Sequence, residues 1–137
     1  MWYRCGAVVS KRTERQRAIA AADKAFSEYI RARDRYICKT CGIAGSKGDG
    51  VMTCGHLITR AKYSVRWDES NAECQCRGCN MRHEFQPEVM TDNYIMRYGT
   101  EFYHELVLLS NTPRKFTVPD IRDIAKYYVD KLSEVRT

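Results

Sequence analysis

The chain has 137 residues, 44% of them hydrophobic, enough for one domain over residues 1–137 with a small core. Seven cysteines, no secretory leader and no apolar run near the ~20 residues of a bilayer span argue against a disulfide framework or a membrane protein and for a reducing cytoplasm. The net charge of +6 lies in residues 1–39, which hold ten Lys/Arg against four Asp/Glu, the balance expected of a phosphate-tracking surface. A solvated basic helix is the plainer alternative.

Three segments follow in order: a basic arm and helix (1–35), a cysteine-dense centre (36–86) and C-terminal helices (87–137). Residues 1–12, with Trp2, Tyr3, Val8 and Val9, form a short strand or an arm. From Thr13 to Arg33 the spacing of Ile19, Ala22, Phe26 and Tyr29 or Ile30 predicts a helix, opened by a loose capping box of Thr13 and Gln16. Residues 42–50 are too glycine-rich for regular structure. Residues 51–54 read as a strand delivering His56, and residues 57–67 show no steady period. Residues 68–71 form a turn before a second strand over 72–75, and a helix begins near Asn80. Pro87 ends or kinks that helix. Thr91 is expected to cap another, stopped by Gly99. Thr100 starts a third, with Phe102, Leu106 and Leu109 on one stripe. Thr117 to Asp120 open the last helix, whose apolar face is Ile121, Ile124, Ala125, Tyr128, Val129 and Leu132. These helices pack on the centre or form a dimer contact.

The centre holds two C-x-x-C pairs, Cys38 with Cys41 and Cys76 with Cys79, separated by 34 residues. Each pair sets two thiolates on one tight turn, so the two can close a tetrahedral zinc site in place of a large apolar core. Cys5, Cys54 and Cys74 are left over. Cys74 could displace Cys76 as ligand, but the matching C-x-x-C turn favours Cys76. Buried free thiols are the bland alternative. Between the pairs stand His56, Asn71 and several arginines. A neutral imidazole at a strand end can deprotonate water for in-line attack on a phosphodiester. A divalent cation held by the facing helix would stabilise the charge that develops, and an Asn on the facing strand can orient the imidazole. His56, Asn80 and Asn71 fit the base, the cation ligand and the orienting group. Each has a structural alternative: a packed histidine, a turn-capping asparagine. His104 is read as structural.

The runs Cys54-Gly55-His56-Leu57-Ile58-Thr59-Arg60, Arg66-Trp67-Asp68-Glu69-Ser70-Asn71 and Gln75-Cys76-Arg77-Gly78-Cys79-Asn80 resemble the HNH, or His-Me finger, nucleases. More closely, with the helix over 26–34 and the Tyr98-Gly99 helix end, residues 24–109 are similar to the NinG (Rap) family of phage recombination endonucleases. The resemblance implies an α+β fold, a zinc-stabilised ββα-metal core with flanking α-helices. It implies structural Zn²⁺ on Cys38, Cys41, Cys76 and Cys79, catalytic Mg²⁺ or Mn²⁺, and cleavage of branched DNA such as Holliday junctions and D-loops in the cytoplasm of a bacterial host. A similar Cys-x-x-Cys-Asn ending in endonuclease VII-type resolvases suggests Asn80 as a ligand of the catalytic metal. One departure stands out. Many HNH enzymes carry a metal-ligating Asp or His immediately before the catalytic His, and here that place is Gly55. His83, Glu84 and Asp49 are the candidates to supply the missing ligand, with His83 preferred.

The expected enzyme is therefore a structure-specific DNA endonuclease. His56 is the base and Asn71 its orienting partner. Asn80 and His83 hold the catalytic metal, and Arg31, Arg33, Arg60, Lys62 and Arg66 contact DNA. A homodimer would suit symmetric cuts, and a phage recombination protein is a further partner. The rival readings are a non-catalytic zinc module that binds DNA and recruits another protein, and an HNH enzyme of homing or restriction type acting on duplex DNA.

Overall fold

The computed structural model describes residues 11–136. The expected arm over residues 1–10, with Cys5, lies outside the described residues. Helix α1 spans Glu14–Arg33. Thr13 caps it as expected: its hydroxyl accepts from the Gln16 N–H at 3.1 Å, and the Gln16 side chain accepts from the Thr13 N–H at 2.8 Å. Ala18, Ala22, Ala25, Phe26, Tyr29 and Ile30 form its buried stripe. The helix unwinds through Arg35 and Tyr36, both at φ 56°, a left-handed conformation that non-glycine residues adopt only when surrounding contacts impose it. Here the imposing contacts are the Tyr36 N–H on the Arg31 carbonyl and the Asp34 carboxylate, which accepts from the Cys74 N–H at 2.8 Å.

Two strands, β1 (Met52–His56) and β2 (Ala72–Cys76), pair antiparallel with Cys54 opposite Cys74 and His56 opposite Ala72. Every residue of β2 is buried. Between the strands lie a one-turn helix α2 (Tyr63–Arg66) and a 3-10 turn over Glu69–Asn71. Helix α3 (Arg77–Phe85) begins three residues before the expected Asn80, so the second cysteine pair occupies its N-cap and first turn. Helices α4 (Pro87–Tyr98), α5 (Thr100–Ser110) and α6 (Val118–Arg136) follow. The described residues thus make a mixed α+β structure of six α-helices and one two-stranded sheet.

Three expectations are corrected. Thr91 does not cap α4: the helix opens at Pro87, whose missing N–H and fixed φ suit a first position, and the Thr91 hydroxyl donates back to the Pro87 carbonyl at 3.0 Å. Val129 is 56% exposed, because α6 meets α1 through Ile121, Tyr128 and Leu132 instead. On α5 only Leu106 of the expected stripe is buried, with Phe102 and Leu109 each 41% exposed.

The main core lies between α1 and α6, where Phe26, Tyr29, Ile30, Ile121 and Tyr128 meet Trp67 and Phe116. The Tyr128 hydroxyl donates to the Trp67 carbonyl at 2.6 Å and so ties α6 to the segment between the strands. A second cluster joins Leu57 and Val65 to Met90, Tyr94 and Leu106, seating α4 and α5 on that same segment. The Arg97 guanidinium on α4 also pairs with buried Glu73 of β2. The outcome is a cleft along the free edge of β1, walled by α1 on one side and α3 on the other.

Candidate zinc centre and active-site cleft

Cys38 and Cys41 sit on a tight turn in which the Gly42 N–H returns to the Cys38 carbonyl at 2.8 Å. The Lys39 N–H, donating to the Cys74 carbonyl at 2.9 Å, fastens this turn to β2. Cys76 closes β2 as the N-cap of α3, and Cys79 lies in the first turn of that helix. The four sulfurs all lie within 4.8 Å of one another, and those of Cys41 and Cys76 are 3.8 Å apart. A tetrahedral zinc with Zn–S bonds of about 2.3 Å separates its sulfurs by roughly 3.8 Å, so the four cysteines can hold Zn²⁺. Burial pushes the Cys38 thiol up, but backbone N–H groups of Cys41, Cys76 and Thr40 together bring it down to about 7, toward the thiolate a metal needs. Cys74 is not in the cluster. It faces Cys54 across the sheet, and burial pushes both thiols up to about 12.

Beside this centre opens a cleft of about 810 Å³ lined by His56, Asn80, His83, Glu84, Arg31 and Arg60 among others. His56 ends β1 and packs 5.7 Å from the Phe26 ring. Its Nε2 donates to the Arg66 carbonyl at 2.9 Å. A carbonyl can only accept, so the neutral ring keeps its lone pair on Nδ1. Burial pushes the imidazole below its ordinary value, and the Arg60 charge adds to this against the opposing Arg66 carbonyl bond. The ring is therefore neutral at neutral pH, in the form that accepts a proton.

Asn71, fully buried, does not reach the imidazole as the sequence suggests. Its Oδ1 accepts from the Ile58 N–H at 2.8 Å, and its Nδ2 donates to the carbonyls of Ile58 at 2.9 Å and Val65 at 3.0 Å. It holds the loop whose next carbonyl, that of Arg66, fixes His56. Orientation of the ring by Asn71 thus runs through the backbone.

The arginines separate into two groups. Arg66 is spent internally: it forks onto Asp23 at 2.9 and 2.6 Å, donates to the Arg60 carbonyl and stacks on Tyr63. Arg33 is spent likewise on Asp34 and on the carbonyls of Glu69 and Ala72. Arg31 and Arg60 line the cleft, and Lys62 is exposed. Asp49 accepts from the N–H groups of Ser46 and Val51, which occupies it as the cap of its own loop. His104 is exposed on α5. Two further residues, Asp23 on the cleft and Gln75 beneath α3, carry no functional signal in the sequence. Asp23 joins Arg66, Arg60 and the Trp67 indole N–H in one cluster, a role hidden in the polar face of α1. Gln75, fully buried, shares its face of β2 with buried Glu73, and the short polar-apolar alternation of that strand gives no sign that this face is the buried one.

Gly55 lies against the Gln75 amide. A Cβ added at position 55 would come within 1.9 Å of Gln75 Oε1, so an acidic side chain immediately before His56 would require the Gln75 amide to move. His83 donates from Nε2 to the Leu57 carbonyl at 3.2 Å, and its Nδ1 is buried with no hydrogen-bond partner among the described residues. Asn80 stands three residues earlier on α3, and both residues line the cleft.

Among known proteins, the profile of the family described as Bacteriophage Lambda NinG protein matches residues 7–137. The chain is similar to Protein ninG of Escherichia phage 933W and of Enterobacteria phage VT2-Sa, each 32% identical over 120 residues, and to Protein ninG of Escherichia phage lambda, 30% identical over 120 residues. These alignments cover 86% of this chain and 58, 58 and 57% of the respective relatives, so the chain spans a little over half their length. No solved structure matches it. Among the described residues no helix is long and apolar enough to cross a membrane. On the family profile and these relatives together, the chain belongs to the phage NinG family.

Proposed function

We propose that this protein is a metal-dependent DNA endonuclease of the HNH, or His-Me finger, type, acting on branched recombination intermediates. The observation that carries the reading is the state of His56: neutral by burial, Nε2 tied to the Arg66 carbonyl, and the ring on the wall of a cleft shared with Asn80, His83, Arg31 and Arg60. In this reading β1, β2 and α3 form the ββα-metal core. Nδ1 of His56 takes a proton from the attacking water. A bound Mg²⁺ or Mn²⁺ supplies stabilisation of negative charge on the phosphate and the departing 3′ oxygen. Asn80 and His83 hold that ion, while the zinc on Cys38, Cys41, Cys76 and Cys79 fixes the start of α3 and takes no part in the chemistry. Arg31, Arg60 and Lys62 grip the DNA backbone. Arg33 and Arg66, committed to carboxylates and carbonyls inside the protein, position the loop that fixes His56.

Branched DNA as substrate comes from the resemblance to the NinG (Rap) endonucleases. A two-fold dimer would place two clefts on opposing strands of a junction, and a recombination protein of the phage is the further partner. One observation favours a rival: the Gln75 side chain closes the space beside Gly55, which leaves no acidic ligand next to His56 and suits a zinc module that binds DNA without cutting it. Cleavage of a labelled four-way junction, set beside a matched linear duplex in Mg²⁺ or Mn²⁺, decides among these. Junction-selective cutting supports the proposal. Cutting of both substrates alike supports a duplex enzyme, and junction binding without cutting supports the recruiting module.

A further inference from the structure

A second recess, of about 450 Å³, opens where α2, the end of α5 and α6 meet. Its walls are aromatic: Tyr63, Trp67, Phe116, Tyr127 and Tyr128 all line it. Trp67 stands edge-on to Phe116 with ring centroids 5.4 Å apart, and Tyr63 edge-on to Trp67 at 5.8 Å. Trp67, Phe116 and Tyr128 are buried and form the floor, while Tyr127 is 50% exposed at the rim. The volume falls in the range of about 300–1,000 Å³ typical of small-ligand sites. Cations surround it. Arg114 holds its guanidinium 4.6 Å over the Phe116 ring, and Arg15 donates to the Phe116 carbonyl at 2.7 Å. Of its two carboxylates, Asp68 is committed to Ser70, and Asp123 is exposed on α6. A groove lined by Arg12, Gln16, Asp23 and Tyr63 links the recess to the cleft, since Asp23 also lines the cleft and Tyr63 the recess.

We propose that this recess binds an unpaired nucleobase of the DNA whose backbone lies in the cleft. The proposal rests on the proposed function for the identity of the ligand, and names the feature of that substrate the second site takes. Aromatic faces stack on any base and nearby arginines meet the flanking phosphates, the combination that holds single strands without sequence preference. The Asp123 carboxylate adds an acceptor for an amino or imino N–H on the base edge. An apolar protein side chain would gain nothing from Arg114 and Arg15, so the cationic rim favours a base. Paired bases are held in the duplex stack and do not enter. The site therefore selects DNA with a flap, a displaced strand or an opened branch point. It also bears on the chemistry. Tyr63 and Arg66 stand on α2 with Trp67 as its C-cap, and the Arg66 carbonyl fixes His56. A base seated against Tyr63 and Trp67 loads the segment that holds the histidine.

The test uses the zinc-loaded protein without added Mg²⁺ or Mn²⁺ and two DNA probes with equal numbers of phosphates. One carries 5-iododeoxyuridine in an unpaired flap, the other carries it fully paired. The wild type should bind the flap probe more tightly. On irradiation the flap base should crosslink to the aromatic rings of the recess, located by mass spectrometry of the peptides. Tyr127→Ala should weaken flap binding by about fivefold or more and leave binding of the paired probe unchanged. Tyr127→Phe keeps the ring and should bind as the wild type does. The crosslink requires no variant, so it decides the matter should Tyr127→Ala fail to fold. Equal affinity for the two probes, or crosslinks confined to cleft residues, overturns the proposal and leaves the cleft nuclease standing. Wild-type flap affinity in Tyr127→Ala overturns it in the same way and leaves the recess to a protein side chain. Failure to bind either probe overturns it together with the DNA reading on which it rests.

Discussion

His56 depends on the fate of its two ring nitrogens. Nε2 is engaged by the Arg66 carbonyl, and burial lowers the affinity of the ring for a second proton. As pH falls, the unfolded chain therefore binds this proton before the folded one. The stability His56 contributes is complete above the ordinary value of 6.5 and is lost as pH falls through the lowered folded value. Cleavage loses its base only as pH falls through the lowered folded value. Single-turnover rates should be flat near pH 7 and fall about tenfold per pH unit only below the depressed value; an acid limb centred above 6.5 contradicts this assignment of the base. Asn71 acts one step away. Asn71→Ala strands the Ile58 N–H and the carbonyls of Ile58 and Val65 in the interior, which should cost about 3 kcal/mol in denaturant unfolding. It should also depress cleavage beyond what the lost stability explains. Unchanged stability would mean the loop does not depend on it. The sequence announced Asn71 as a functional position but not its partners, because the bonds run to backbone atoms that only the folded loop brings near.

Among the elements, the helix pair α1 and α6 supplies the platform on which β1 rests. Ile121 and Ile30 are fully buried between them, and Phe26 touches both Tyr128 and the His56 ring. Ile121→Ala should destabilise the fold by about 2–5 kcal/mol, read from the shift of the denaturation midpoint; a shift near zero would contradict the core placed here. Helix α1 was legible in the sequence because its capping box and its three- and four-residue apolar steps agree, and the cysteine spacing placed both zinc turns. The short strands were legible only as carriers of His56 and the second cysteine pair. The start of α4 was not, since Pro87 reads equally as the end of one helix and the first residue of the next. The sorting of Arg33 and Arg66 from Arg31 and Arg60 was also illegible. It turns on Asp23 and Asp34 and on carbonyls distant in sequence, which no local pattern reveals.

Over the whole molecule, the cationic residues lining the cleft are Arg31 and Arg60, so the salt dependence of DNA affinity that this cleft supplies should correspond to a small number of phosphate contacts. Arg31→Ala and Arg60→Ala should each reduce the slope of log K against log salt by about one, as loss of one phosphate contact does. Arg66→Ala should instead lower the melting temperature, since Arg66 anchors Asp23 and the aromatic rings of Tyr63 and Trp67. Fluorescence titrations at several salt concentrations, paired with thermal melts, separate the two behaviours. An equal loss of slope in all three variants would contradict the division of the arginines. The proposed function joins a cysteine cluster at the start of α3 and a fixed neutral histidine on one cleft wall. Its most direct test compares wild type and His56→Ala, both zinc-loaded and equally folded by circular dichroism, for cutting of labelled branched DNA in Mn²⁺. The account predicts cleavage by the wild type and a loss of about a hundredfold or more in the variant with DNA binding retained. Equal cleavage by the two proteins would contradict it.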